Sequence, residues 1–299
     1  MKTFQDRVAV ITGAASGLGL ELARAAQRRG MKLVLADVEV PALEAARAEF
    51  LAAGAAVLAL PTDVSRPEAV AALADAAEAR FGAVHLVFNN AGVGGGGLLW
   101  ESSLSDWQWV LGVNLWGVIH GVQRFVPRML EAAKSDPNYE GHVVNTASMA
   151  GLVNMPNMGV YNVSKHAVVA LSETLYQDLA IVGAPIGASV LCPYFVPTGI
   201  HKSERNRPAS LASAPTASQL VAQAFAERAV TSGKVTAAEV AERTFQAIAE
   251  GQFYIASHPK ALGGVQERAE DIVALKNPRD PFAARPEVGA ALRQAIRGR

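Results

Sequence analysis

VAVITGAASGLGLELARAAQRRG, residues 8–30, decides how this chain is read. VAVIT (8–12) is a short apolar, mostly β-branched run that suits a buried strand. A glycine-rich loop follows. Then comes a stretch of helical period that stops at Gly30, a natural helix end. Glycines at 13, 17 and 19 let the backbone turn sharply and approach a pyrophosphate. The helix N-terminus adds unpaired N–H groups and a positive dipole end. The loop residues Gly13, Ser16, Gly17, Leu18 and Gly19 therefore form a candidate phosphate cradle. A tight strand–helix turn also carries glycines, and the strand–loop–helix setting is what favours a nucleotide.

Outward from this unit the same alternation repeats. Strand-like runs occur at 32–36, 56–60, 84–88, 142–146 and 187–191, separated by Ala-, Leu- and Glu-rich helical stretches. Such alternation with apolar strands implies a parallel sheet covered by helices on both faces: an α/β, three-layer, doubly wound (Rossmann) fold in a single domain. Residues 102–133 read as one long helix. From 193 to 233 the alternation breaks into a Pro-, Ser- and Arg-containing stretch, read as a linker or a mobile substrate lid. A helix (237–250), a strand (253–256) and a final helix (260–275) follow. The expected division is thus a catalytic domain over 1–256 and a C-terminal helical extension and tail over 257–299. The Pro- and Arg-rich end is expected to be partly disordered or docked on a partner subunit.

Asp37 ends the second strand, 18 residues beyond Gly19. A carboxylate there can accept both ribose hydroxyls and repel a 2′-phosphate, which favours NAD and leaves NADP as the second choice. It also reads as a helix cap. No arginine lies within the loop or just after Asp37.

Composition narrows the class. Hydrophobic residues make up 51% and charged residues 18%, enough for a large core. Lys+Arg and Asp+Glu both total 27, so no basic excess exists to neutralise nucleic acid. The single cysteine, Cys192, excludes an internal disulfide and agrees with a cytoplasmic setting. No signal peptide and no membrane-length apolar run is recognised. The six histidines form no HxH, HExxH or Cys/His cluster, so no metal is expected, and GxSxG is missing.

Taken together, TGAASGLG, NNAG (89–92) and a serine 13 residues before YNVSK resemble the short-chain dehydrogenase/reductase family over residues 5 to about 200. The resemblance implies a cofactor site that also includes Asp63 and Val64 beside the adenine, and Asn90, Ala91 and Gly92 on the cofactor floor. It further implies Pro193, Val196 and Thr198 near the nicotinamide, with Tyr161 and Lys165 at the ribose. The implied catalytic set is Asn114, Ser148, Tyr161 and Lys165.

In that set Tyr161 exchanges the proton, Ser148 holds the substrate oxygen, and Asn114 anchors a relay water. Lys165, one helical turn on, is expected to favour the phenolate. The substrate is expected to touch Ser148, Met149, Tyr161 and Tyr194; Tyr194 stands where the family has glycine. Leu98, Leu99, Val153 and Met155 add an apolar lining, so a bulky or aromatic secondary alcohol or ketone is expected. A steroid, polyol or 3-oxoacyl substrate, or a non-catalytic dinucleotide sensor, are the alternatives. The family also implies a homodimer or homotetramer.

Overall fold

The computed structural model describes residues 1–298. Seven parallel strands form one sheet in the order β3-β2-β1-β4-β5-β6-β7. They are β1 (Val8–Thr12), β2 (Lys32–Asp37), β3 (Val57–Pro61), β4 (Leu86–Asn89), β5 (Gly141–Thr146), β6 (Ile186–Cys192) and β7 (Tyr254–Ala256). Side chains alternate between the two faces, as the pleat requires. Ala9, Ile11, Leu33 and Leu35 pack against α1 (Gly17–Arg28), α2 (Val40–Ala52) and α8 (Ala237–Glu250). Val8, Val10 and Val34 face α3 (Pro67–Phe81), α5 (Gly117–Ser135) and α6 (Gly159–Ile181). The doubly wound fold expected from the sequence is therefore the fold observed. Strand order reverses between β1 and β4, which opens a crevice at their C-terminal ends.

Three segments depart from expectation. The long helix expected over 102–133 is broken: α4 (Leu104–Leu111) and α5 are joined by a π turn, Gly112–Trp116, centred on Asn114. The stretch read as a lid folds into two 3-10 turns (Ile200–Asn206 and Ala209–Leu211) and α7 (Ala217–Thr231). Its sequence signal is the capping box of Thr216 and Gln219, whose side chains bond each other's backbone N–H. The expected final helix becomes a 3-10 turn (Pro259–Leu262) followed by α9 (Gly263–Val273). Within the tail, Pro286–Arg297 forms α10, which packs on α7 of its own chain and buries Leu292. No described helix is long and apolar enough to cross a membrane.

At the N-terminal ends of the central strands two buried histidines are held neutral. His142 in β5 contacts the Ser189 hydroxyl at 2.8 Å, and Ser189 donates to the Gln252 carbonyl. Burial lowers His142 to about 3. His85 is lowered to about 4 by burial and by the Arg7 guanidinium. The unfolded chain titrates these groups near 6.5, so it binds more protons than the folded chain below that pH. Their stabilisation is full above pH 7 and is lost as pH falls through 6.5 toward 4. We expect a loss of about 2 kcal/mol between pH 7 and 5.5, above the range where carboxylates titrate. Urea midpoints that coincide at the two pH values would refute this.

Candidate active site

The crevice gathers nearly every residue expected to bind the cofactor. Gly13 and Gly17 take left-handed backbone conformations, φ +66° and +53°. Gly19 permits the closest approach: a Cβ there would stand 1.9 Å from the Gly13 carbonyl oxygen and 2.7 Å from Asn90 Nδ2. Ser16 occupies the N-cap of α1 without making a side-chain cap, and the first turn carries no acid. Leu18 packs against the core beneath the loop. The first turn of α1 therefore keeps its amides and positive dipole end free of a capping side chain.

Asp37 sits at the end of β2. Its Oδ2 accepts the Ala15 N–H at 2.9 Å, and its Oδ1 accepts that of Glu39 at 3.0 Å. These bonds fix the carboxylate beside the glycine loop. Asp63 accepts the N–H and hydroxyl of Ser65. Val64 is buried, and its carbonyl meets His120 Nδ1 at 2.9 Å. Asn90 staples the floor: its Nδ2 donates to the Thr12 carbonyl, and its Oδ1 accepts from the Thr146 hydroxyl. Thr12 Oγ1 accepts the N–H groups of both Asn90 and Ala91. A Cβ on Gly92 would lie 3.4 Å from Asn114 Oδ1 and 3.6 Å from Lys165 Nζ.

The four catalytic candidates converge beside this floor. Asn114 is fully buried. Its Oδ1 accepts the Val93 N–H at 2.8 Å, while Nδ2 donates to the Val93 carbonyl and to Ser164 Oγ. Ser164 in turn donates to the Tyr161 carbonyl at 2.8 Å. Both amide hydrogens of Asn114 thus bind protein and tie the loop after β4 to the helix of Tyr161. The π turn aims this side chain inward, a use such turns often have. Ser148 Oγ accepts the Ala150 N–H and donates to the Pro193 carbonyl at 3.3 Å. The Ser148 hydroxyl also acts on the Tyr161 phenol.

Lys165 Nζ lies 5.7 Å from the Tyr161 ring centre and donates to the Thr146 carbonyl at 2.9 Å. Burial lowers Lys165 to about 8. The lysine was expected to pull the phenol down. Here burial pushes Tyr161 up, opposed by the Ser148 hydrogen bond. Desolvation of the buried phenol is the larger effect, and the Lys165 ammonium bonds the Thr146 carbonyl.

On the substrate side, Met149 is buried and its N–H meets the Pro193 carbonyl. Tyr194 is 40% exposed, with its ring 4.1 Å from Phe195 and edge-on to His258 at 5.7 Å. Val196 is buried, and Thr198 lies against Gly17. The glycines after NNAG serve close approach: a Cβ on Gly96 would meet Ala222, and one on Gly97 would meet Gln219, both on α7. Leu99 covers Gly159 at the start of α6. Residues passed over in the sequence include Thr12, Thr146 and Ser164. Thr12 and Ser164 sit inside quoted motifs, but a hydroxyl's partner is not written in its neighbours. No group of three or more His, Cys, Asp or Glu among the described residues is placed to hold a metal ion.

Comparison with known proteins agrees with this geometry. Residues 7–209 match the family model for short chain dehydrogenases. The chain is 36% identical to a CLA biosynthesis dehydrogenase/reductase of Lactiplantibacillus plantarum, over 91% of this chain and 95% of that one. It is 34% identical to a C alpha-dehydrogenase of Sphingobium sp., over 98% of this chain and 94% of that one. A short-chain dehydrogenase/reductase from Burkholderia phymatum, solved in complex with NAD, superposes with a TM-score of 0.91 at 55% identity. The match covers 95% of this chain and 100% of that one.

Proposed function

Because the chain belongs to the short-chain dehydrogenase family and is an oxidoreductase of that kind, we propose that it interconverts a bulky, hydrophobic secondary alcohol and its ketone, with NAD preferred over NADP. The observation that carries this reading is the convergence of Ser148, Tyr161, Lys165 and Asn114 on the floor formed by Asn90–Gly92. A dinucleotide fits the residues present. The glycine loop is a cradle that a Cβ would fill, and the helix behind it offers uncapped amides. Asp37, fixed by two N–H groups at the end of β2, supports a ribose with free hydroxyls.

When bound, the nicotinamide supplies the hydride acceptor or donor. Tyr161 exchanges the substrate's proton at its phenolic oxygen, and Ser148 holds the substrate oxygen. A phenol raised by burial keeps its proton at neutral pH, which suits ketone reduction. Lys165, titrating at about 8, is still mostly cationic at pH 7 and stabilises negative charge as it develops on the phenol. Asn114 acts by holding Val93 and Ser164 in place. The exposed side chains of Tyr194 and Leu99 support an apolar substrate.

The test is steady-state turnover of aryl and alkyl ketones, polyols and 3-oxoacyl thioesters with NADH and with NADPH. Bulky ketones with NADH should give the highest kcat/KM, by about tenfold or more over NADPH, equivalent to about 1.4 kcal/mol. Equal use of both dinucleotides would sink the NAD assignment. NADH binding without turnover of any carbonyl would favour a sensor.

A further inference from the structure

In the sheet order β6 and β2 stand four places apart, with β5, β4 and β1 between them. At roughly 4.8 Å per strand, the separation is roughly 19 Å. The segment that leaves β6 spans this whole distance and touches down three times. Thr198 Cβ would lie 3.2 Å from a Cβ on Gly17, at the start of α1. The hydroxyl of Ser203, itself buried, accepts the Gly94 N–H at 2.9 Å, just after β4. Arg205 Nη2 and Asn206 Nδ2 then donate to Glu39 Oε1, at 2.5 and 2.9 Å. Glu39 is the N-cap of α2, two residues beyond Asp37. The segment therefore crosses the C-terminal ends of β4 and β1, where strand order reverses and a dinucleotide sits in this fold.

We propose that Glu39, Arg205 and Asn206 form a clasp that closes the adenosine end of this crevice and sets how fast the cofactor leaves. The inference rests on the dinucleotide reading above. The segment has two fastenings of different kinds. Arg207 pairs with Asp106 at 2.7 Å, with side chains only 9% and 11% exposed, and Gln219 also donates to Asp106. Arg207 further lies over the Trp109 ring. Breaking a buried pair of this kind leaves a charge uncompensated, so it is a permanent anchor. The side chains of Arg205 and Glu39 are 39% and 28% exposed. A pair open to solvent is weak and screened by salt, so it can part while the anchor holds. Lys202, between Ser203 and the β6 end, breaks the helical backbone of the 3-10 turn at φ −103° and ψ 20°. That kink gives the segment a place to bend.

The test is stopped-flow release of NADH, displaced by excess NAD, from the full-length chain. Glu39→Gln and Arg205→Ala should each release NADH about five- to tenfold faster, with thermal midpoints within about 1 °C of wild type. Wild-type release should quicken between about 0.05 and 0.5 M salt, and Glu39→Gln should lose that dependence. The charge-swapped double variant Glu39→Arg/Arg205→Glu should regain slow release, which loss of a merely structural contact would not do. Wild-type release rates in both single variants would overturn the clasp. So would a Glu39→Gln variant that tightens NADPH while leaving NADH release alone, since Arg205 would then be a 2′-phosphate ligand. A wild-type chain that bound neither dinucleotide would overturn the underlying reading and the clasp with it.

Discussion

Tyr161→Phe should lose turnover by about 10³-fold while binding NADH within about threefold of wild type. The substitution removes one oxygen from a side chain that is 9% exposed and leaves its ring packed, so the helix around it should not move. What goes is the phenolic oxygen proposed to exchange the substrate's proton, beside the Ser148 hydroxyl. Lys165 cannot take over, because its ammonium is turned to the Thr146 carbonyl and lies 5.7 Å from the ring centre. Ser148 cannot either, since its hydroxyl is engaged with Pro193 and Ala150, and a serine is a far weaker acid than a phenol. NADH fluorescence titration and turnover on one ketone separate the two effects. Retention of more than about a tenth of wild-type turnover would show that the proton moves by another route.

Gly19→Ala should weaken NADH binding by about 100-fold and lower the thermal midpoint by several degrees, at about 2–3 kcal/mol for the clash. The new methyl would begin 1.9 Å from the Gly13 carbonyl oxygen and 2.7 Å from Asn90 Nδ2. Neither neighbour can retreat easily. Gly13 holds a left-handed turn, and Asn90 is bonded to Thr12 and Thr146. The loop must therefore open, and α1 must draw back from the place its amides serve. Gly263→Ala is the control: nothing lies within 4 Å of its Cβ position and its φ is −54°, so affinity should stay at the wild-type value and stability should hold or rise slightly. A Gly19→Ala protein that melts and binds NADH normally would show that the loop is only a turn.

The order of elements was legible because it is written locally. β1 and α8 appear at the residues expected, and β2, β3, β5 and β6 within a residue or so, since apolar alternation and turn residues act over a few positions. The glycine loop, Asp37, NNAG and the YNVSK helix were legible for the same reason. The π turn at Asn114 was not, because the GVNLWG stretch has ordinary helical character and the partners of Asn114, Val93 and Ser164, lie in other segments. α7 follows a Pro- and Ser-rich approach that masks it, and its capping box is a local signal only four residues long.

Sequence by itself determined the fold and the motifs that line its crevice, because periodicity, glycine placement and caps need no distant partner. Only the tertiary structure decided which polar groups meet. Arg205 finds Glu39 across 166 positions, and α7 closes on Gly96 and Gly97 from more than 100 residues away. Enclosure, too, rather than chain neighbourhood, raises the Tyr161 phenol and brings Lys165 to about 8. Desolvation depends on every segment that covers a group, and no short stretch of sequence carries that sum.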